Sequence, residues 1–372
     1  MTTVNEKLAD AAVSHAVDFH QYSTGVVHRI IAILNKIDPL LVQQIQDALE
    51  RLPAESFTVD RLEQLLYSVR ALNLQAYQAA ERELNDTLKQ FVSYESGYQA
   101  QLFTSVIPPQ IVANVGVAAV NVEQVYAAAM ARPFQGVLLK EALAGLEAGR
   151  AKMIRDTIRI GYVENATTQQ IVQRIRGTRA KGYADGLFQA PRQHIEAITR
   201  TALGHTAAFT RERFYAANDS LIAAVVWTAT LDSRTSEICL LRDGKKYTNE
   251  THKPIGHSFP WLGGPGAAHW NCRSTAVPIT KSWKELGGAD IESFMPSTRA
   301  SMDGQVPAEQ TYGEWLKKQS AARQDQVLGP TRGKLMRDGG LTIERFATDK
   351  GRWLSLDELR ARDAAAFAKA GV

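Results

Sequence analysis

A change of pattern near residue 220 constrains the fold of this chain more than any other feature. Before it, the sequence is rich in Ala, Leu, Gln, Glu and Arg, which lose little side-chain freedom in a helix. The pattern then changes to LIAAVVWTAT at residues 221–230, a β-branched apolar run typical of a buried strand. A second short strand, RSTAVPIT, is predicted at residues 273–280. These features predict an α+β protein that is predominantly α-helical.

Turn and cap signals separate the predicted helices. Apolar positions from Arg61 to Phe91 repeat at close to 3.6 residues, and Asp60 with Glu63 has the pattern of an N-terminal cap. Pro53 separates this helix from one at residues 40–52, and Pro108-Pro109 is the clearest internal break, because a proline disfavours helix in the residue before it. Further helices are predicted at residues 122–130, 138–160, 169–177, 194–217, 312–323 and 355–369.

The same signals predict four segments along the chain. They are an N-terminal helical domain (1–155), a helical connector (156–219), a small loop-rich module with β-strands (220–282) and a mixed C-terminal extension (283–372).

Composition narrows the functional classes only slightly. The formal net charge of +4 is too small to indicate nucleic-acid binding by itself, and only a clustering of the positive charges could do so. The most apolar stretch, residues 111–131, is interrupted by Asn114, Asn121 and Glu123, which would be costly within a bilayer. The N-terminus lacks the basic start and apolar core of a secretory signal. We therefore expect synthesis and assembly in a cytoplasm, with no membrane partner.

Cys239, His269 and Cys272 are the strongest candidates for a metal site. The His-x-x-Cys pair places two ligands beside a tight turn, and Cys239 could close the site from a distant loop. Structural zinc needs four ligands, and the candidates for the fourth are Asp232, His252, His257 and water. The spacing alone leaves three alternatives open: a metal site, a packed pair of free thiols and a disulfide.

A cluster of basic residues is the best candidate for nucleic-acid binding. It consists of Arg174, Arg176, Arg179 and Lys181, and further arginines follow at positions 192, 200, 211 and 213. Phosphate contacts require only positive charge within reach. The alternative is a solvated helix face or a salt-bridged protein interface, which is the more common role of surface charge.

Two segments around the cysteines carry a more specific signal: WTATLDSRTSEICLLRDGKKY at residues 227–247 and GGPGAAHWNCRSTAVPI at residues 263–279. They closely resemble the signature of the phage Mu F-like minor head proteins, a family of head morphogenesis proteins. In that family a strand ending in Trp leads to an Asp-x-Arg-Thr turn, a Cys and an Asp-Gly turn, and a Pro-rich loop then closes on His-x-x-Cys-Arg. The matching positions are Trp227, Asp232, Arg234, Thr235, Cys239, Asp243, Gly244, His269, Cys272 and Arg273.

The resemblance extends beyond these segments. Residues 199–201 match the family's run of Thr, Arg and Ala, and residues 311–346 are similar to the C-terminal segment of many Mu-like prophage members. It therefore covers about residues 195–372, while the N-terminal half shares only a general helical character. Many members carry Cys-x-x-Cys at the first corner, where this chain has Ser236. Serine is a poor zinc ligand, so either another group completes the site or this member has lost the metal.

The resemblance implies a structural, non-enzymatic minor head protein of a tailed phage or prophage that acts in head morphogenesis. The implied partners are the portal protein and the major capsid protein of the same phage, with packaged DNA as a further candidate. The implied location is the virion, inside the head or at its portal vertex, after assembly in the host cytoplasm. We expect one structural zinc ion on Cys239, His269, Cys272 and Asp232.

The alternative is a metal-dependent hydrolase or nuclease built on Asp232, His257, His269 and Cys272. A catalytic zinc ion keeps an open position beside three protein ligands, which fits the ligand count. However, cysteine ligands favour structural zinc, and no recognised motif places a general base. The sequence also lacks a phosphate-binding loop, a dinucleotide fingerprint, a nucleophile elbow and a His-Glu-x-x-His motif. We therefore expect no catalytic residues.

Overall fold

The computed structural model describes residues 4–51, 58–286, 298–307 and 309–372. It is 63% helical and contains a small antiparallel sheet of four strands, which confirms the predicted α+β, predominantly helical class. Within these ranges, no helix combines the length and the apolar character that crossing a membrane requires.

In the described part of the chain, eight α-helices and a short 3-10 turn precede the first strand. They are α1 (Val4–Glu50), α2 (Val59–Leu65), α3 (Tyr67–Val106), α4 (Pro109–Val115), α5 (Val122–Met130), α6 (Leu139–Val163), α7 (Thr168–Arg176), the 3-10 turn Arg179–Lys181, and α8 (Gln189–Ala217).

Most predicted helices are present, but two details differ near the N-terminus. The helix predicted at residues 40–52 is part of the 47-residue α1, which continues through Pro39. Pro53 lies outside the described residues. The N-cap of α2 is Thr58, whose side chain accepts a hydrogen bond from the backbone N–H of Arg61, so Asp60 lies in the first turn and is not the cap.

The strands and the remaining helices follow α8. They are β1 (Ile222–Thr228), α9 (Glu237–Arg242), β2 (Lys246–Tyr247), β3 (Pro254–Ile255), β4 (Thr275–Thr280), β5 (Thr298–Ser301), β6 (Gly304–Pro307), α10 (Tyr312–Lys317), α11 (Ala321–Leu328), α12 (Pro330–Arg337), a 3-10 turn (Ile343–Phe346), α13 (Leu356–Arg362) and α14 (Ala364–Ala370).

The four-stranded sheet places β1 at its centre. The strand order is β3-β2-β1-β4, all pairs are antiparallel, and Val225 lies opposite both Tyr247 and Pro278. Both predicted strands are therefore present, as β1 and β4. β5 and β6 form a separate two-stranded hairpin.

The chain forms two compact units, neither of which is continuous in sequence. The first consists of Met1–His20, Val92–Ala129 and Gly204–Val372, and the second of Gln21–Phe91 and Met130–Leu203. This differs from the predicted boundaries, because the one between residues 155 and 156 falls inside α6. Long helices contribute to both units, so a division at breaks in the sequence pattern misses this arrangement.

The described residues of the first unit form two hydrophobic cores. In one, Leu231, Leu240 and Phe259 pack with Trp315 and Phe346, so the predicted module (220–282) and extension (283–372) share a core. A segment of about 60 residues buries too small a fraction of its surface to be comfortably stable alone, which explains why the boundary predicted at residue 282 does not separate two cores. The other core contains Trp227, Cys239 and Cys272, packed with residues of α3 and α8.

The second unit packs α1, α2, α3, α6 and α7 around Leu41, Leu62, Ile154 and Ile171. Asp38 is buried there and accepts hydrogen bonds from Arg150 and Arg192. The Asp38–Arg150 pair is costly to break, because the fully buried Arg150 would be left charged in the interior.

Candidate metal centre

The first corner of the site is the N-terminus of α9. Ser236 is its N-cap, with extended backbone (φ −69°, ψ 157°), and its Oγ accepts a hydrogen bond from the Cys239 backbone N–H at 3.4 Å. This cap turns the chain from the β1 loop into the helix. Cys239 therefore lies in the first turn of α9, where its side chain is only 1% exposed.

The second corner is the glycine-rich loop before β4. Gly264 has φ +87°, and a Cβ there would lie 2.7 Å from the Trp261 ring, so both the backbone conformation and the packing require glycine. The backbone N–H of Cys272 donates to the carbonyl of His269 at 3.3 Å, which closes the tight turn predicted from His-x-x-Cys. The loop thereby places both side chains against α9.

The three predicted ligand atoms converge. The two sulfur atoms of Cys239 and Cys272 lie 3.6 Å apart, and Cys239 Sγ lies 3.1 Å from His269 Nε2. All three atoms lie within 4.8 Å of one another, and both thiols are free. Zn–S bonds of about 2.3 Å in a tetrahedron place two sulfurs about 3.8 Å apart, close to the observed separation. Cys239, His269 and Cys272 could therefore hold a metal ion.

The ring of His269 is oriented for ligation through Nε2. Its Nδ1 lies 2.9 Å from the backbone carbonyl oxygen of Trp270, to which it donates a hydrogen bond. This contact assigns the proton to Nδ1 and leaves the lone pair of Nε2 directed at the cysteines. Histidine ligands in metalloproteins are commonly fixed by a hydrogen bond of this kind.

Hydrogen bonds around Cys272 favour its thiolate, the form that binds metals. The pKa of Cys272 is lowered because Cys239 donates a hydrogen bond to its sulfur and His269 adds a second favourable contact. The backbone N–H of Gly266 also donates to this sulfur at 3.2 Å. The hydrogen bond with Cys272 and burial raise the pKa of Cys239. Burial is the largest single influence on the pKa of His269 and would lower it, but the interactions with Cys272 and the Trp270 carbonyl together raise this pKa.

The structure does not bring Asp232 to this cluster. Its carboxylate instead accepts two hydrogen bonds from the guanidinium of Arg273, one at 2.8 Å, and another from the Arg234 backbone N–H at 2.9 Å. Burial is the largest single influence on the pKa of Asp232 and would raise it, but Arg273 and the hydrogen bonds from Arg234 and Thr235 together lower this pKa. Arg273 follows Cys272 in the chain, so the same loop that delivers the thiol also delivers the cation that pairs with Asp232.

The other two histidines considered as fourth ligands are also engaged elsewhere. His252 stacks on the Trp261 ring with a centroid distance of 4.4 Å. His257 Nε2 donates to the carbonyl of Lys246 at 2.8 Å. Ser236 does reach the cluster, since its Oγ lies 2.7 Å from His269 Nε2, and the side chain of Ser274 also interacts with Cys239. Ser236 therefore lies beside the three ligand atoms, at the position where the resembled signature often has a cysteine.

The carboxylate of Asp243 connects several elements of the first unit through hydrogen bonds. The sequence identified this residue only as part of an Asp-Gly turn. Its buried carboxylate accepts hydrogen bonds from both terminal nitrogens of Arg299, at 2.9 and 3.0 Å. It also accepts from the backbone N–H groups of Ala229 and Tyr312, each at 2.7 Å. One carboxylate therefore joins the end of α9, the residue after β1, the β5–β6 hairpin and α10.

The predicted basic cluster lies entirely in the second unit, whereas Cys239, His269 and Cys272 belong to the first. Arg174 pairs with Glu164 at 2.6 Å, and Arg176 donates to the hydroxyl of Tyr183 at 2.9 Å. Arg179 and Lys181 are exposed in the 3-10 turn after α7. Of the arginines that follow, Arg211 pairs with the buried Glu95 in the first unit, which makes it structural.

No family model, curated protein or solved structure matches this chain. Any functional conclusion therefore rests on the geometry of the site and on the sequence pattern around it.

Proposed function

We propose that this chain is a structural, non-enzymatic minor head protein of a tailed phage or prophage, in which one zinc ion stabilises the module around β1 and α9. The observation that carries the proposal is the convergence of Cys239, His269 and Cys272 within the segments that resemble the Mu F-like signature. Its partners would be the portal and major capsid proteins. It would lie inside the head or at the portal vertex after assembly in the host cytoplasm.

Zinc is the ion that best suits this ligand set. Two thiolates and one imidazole are soft or borderline donors, which favour zinc over the oxygen-binding ions magnesium and calcium. The fourth ligand would be the Ser236 hydroxyl or a water molecule held by it, because no carboxylate belongs to the described cluster.

Burial favours a structural ion over a catalytic one. Cys239 and Cys272 are 1% and 6% exposed and belong to a hydrophobic core with Trp227. Catalytic zinc needs a position open to substrate and a nearby general base. Asp232 and His257, which the hydrolase alternative would use, are instead engaged with Arg273 and with the Lys246 carbonyl. The metal-dependent hydrolase or nuclease is therefore the weaker proposal.

Replacing Ser236 with cysteine is expected to strengthen zinc binding at least tenfold. The new thiolate would complete a Cys-x-x-Cys corner beside His269 Nε2, and even outer-shell partners alter metal affinity by about 10- to 100-fold. Competition with a zinc-binding dye measures the affinity. Ser233→Cys is the matched control, since it adds a thiol to the same loop outside the cluster. Equal affinities for S236C, S233C and the wild type would contradict a metal position beside Ser236.

The role in the phage head is tested in infected or induced cells. The chain is expected to co-purify with the portal protein and to remain in purified heads. Its absence from purified heads would contradict the assignment. The enzymatic alternative predicts metal-dependent DNA cleavage that His269→Ala abolishes, and that result would replace the structural proposal.

A further inference from the structure

The second unit contains a polar groove of about 440 Å³ beside the end of α7. We call it the Arg179 groove, and its principal lining side chains are Gln169, Gln173, Arg176, Thr178, Arg179 and Tyr183. Two guanidinium groups and three carboxamides, those of Gln46, Gln169 and Gln173, line this space, and its lining among the described residues includes no carboxylate side chain. A groove of this composition suits an anion that also carries hydrogen-bonding edges.

The loop at residues 177–186 forms one wall of the groove, and its two ends are in contact. The C-cap of α7 is Gly177 (φ +91°), and a Cβ at Gly186 would lie 2.4 Å from the Arg176 carbonyl, so the chain returns in close contact with the helix end. Thr178 donates from both its backbone N–H and its hydroxyl to Asp185, each at 2.8 Å. Because these hydrogen bonds fix the loop before a ligand binds, little conformational entropy would be lost on binding.

The two arginines of the groove differ from the neighbouring Arg174, whose charge is paired with Glu164. Arg176 is held in place by the Tyr183 hydroxyl, and its guanidinium carbon lies 4.8 Å from the centre of the Tyr183 ring. The Arg179 side chain makes no hydrogen bond or ion pair with the residues that the structure describes. The Arg176 guanidinium is therefore held in a fixed orientation, and the Arg179 guanidinium is available to bind a ligand.

We propose that the Arg179 groove binds the phosphate group of a nucleotide, either free or within a nucleic-acid strand. Planar guanidinium groups bind phosphate oxygens through paired, charge-assisted hydrogen bonds, which Arg176 and Arg179 would supply. The carboxamides of Gln169 and Gln173 offer the donor and acceptor pair that complements a base edge. This proposal does not depend on the head-protein assignment, since it uses only residues of the second unit.

The test measures binding of a fluorescently labelled single-stranded oligonucleotide to the full chain, with AMP and inorganic phosphate as competitors. Arg179→Gln is expected to weaken oligonucleotide binding roughly tenfold, because a hydrogen bond to a charged group is lost. Arg174→Gln is the matched control, since it removes the same charge from an arginine already paired with Glu164. It should change the affinity less than twofold.

The competitors distinguish the two sources of phosphate. Displacement of the oligonucleotide by AMP, at a concentration near the dissociation constant of AMP, indicates a free nucleotide. Binding of the oligonucleotide alone indicates contacts with a strand. In that case R179Q should reduce the slope of the logarithm of the binding constant against the logarithm of the salt concentration by about one. Equal losses in R174Q and R179Q would show that only net charge matters and would overturn the proposal. Failure of all three ligands to bind would also overturn it.

Discussion

Replacing Cys272 with serine is expected to remove zinc from the protein and to unfold the core around Trp227. Cys272 is both a proposed ligand and a buried member of that core, so its loss acts on metal binding and on packing together. Structural zinc in small domains contributes an apparent 10–16 kcal/mol at about neutral pH, which is comparable to the whole stability of a typical domain, about 5–15 kcal/mol. Thermal unfolding followed by tryptophan fluorescence measures the change.

A chelator separates the metal effect from the loss of a buried thiol. Wild-type protein treated with excess chelator should unfold at nearly the same lowered temperature as Cys272→Ser, and added zinc should restore only the wild type. If chelation leaves the wild-type transition unchanged while C272S lowers it, the two cysteines serve packing alone.

Replacing Asp243 with alanine is expected to cost about 3–5 kcal/mol of unfolding free energy, because a buried charge loses its partner. Arg299 is only 8% exposed and would remain charged without its carboxylate. The backbone N–H groups of Ala229 and Tyr312 would also lose their acceptor. Urea denaturation measures the change in free energy.

The matched control is an exposed ion pair in the same unit. Asp303 pairs with Arg323 at 2.7 Å, with side chains 42% and 30% exposed, so Asp303→Ala should cost no more than about 1 kcal/mol. The double variant D243A/R299M should recover part of the stability, because no charge is then left buried. Similar costs for D243A and D303A would contradict the view that Asp243 joins the module to the C-terminal helices.

Local features of the sequence are sufficient to predict many of the elements. The helix at residues 122–130 has its predicted bounds, and the apolar runs around Trp227 and Val277 form the paired strands β1 and β4. Periodicity, caps and β-branched runs act over a few residues, so they can be identified without knowing the tertiary structure. The His-x-x-Cys turn likewise predicted the proximity of His269 and Cys272.

Features that depend on tertiary contacts were not predicted. Asp232 and Arg273 are 41 residues apart in sequence, and their pairing decides that this carboxylate is not a ligand. As a result, Ser236 and not Asp232 lies beside the three ligand atoms. The sequence did not predict this, because serine is a poor zinc ligand. The two discontinuous units also depend on where the long helices pack, and packing partners are not encoded in any local pattern.

We propose that the first unit holds one zinc ion on two cysteines and one histidine. X-ray absorption at the zinc edge of the purified wild-type chain tests it directly, together with the zinc content per chain. One zinc ion per chain is expected, with two sulfur neighbours at about 2.3 Å and lighter neighbours at about 2.0–2.2 Å. A chain that retains no zinc after exposure to the ion, or a zinc shell without sulfur, would contradict the claim.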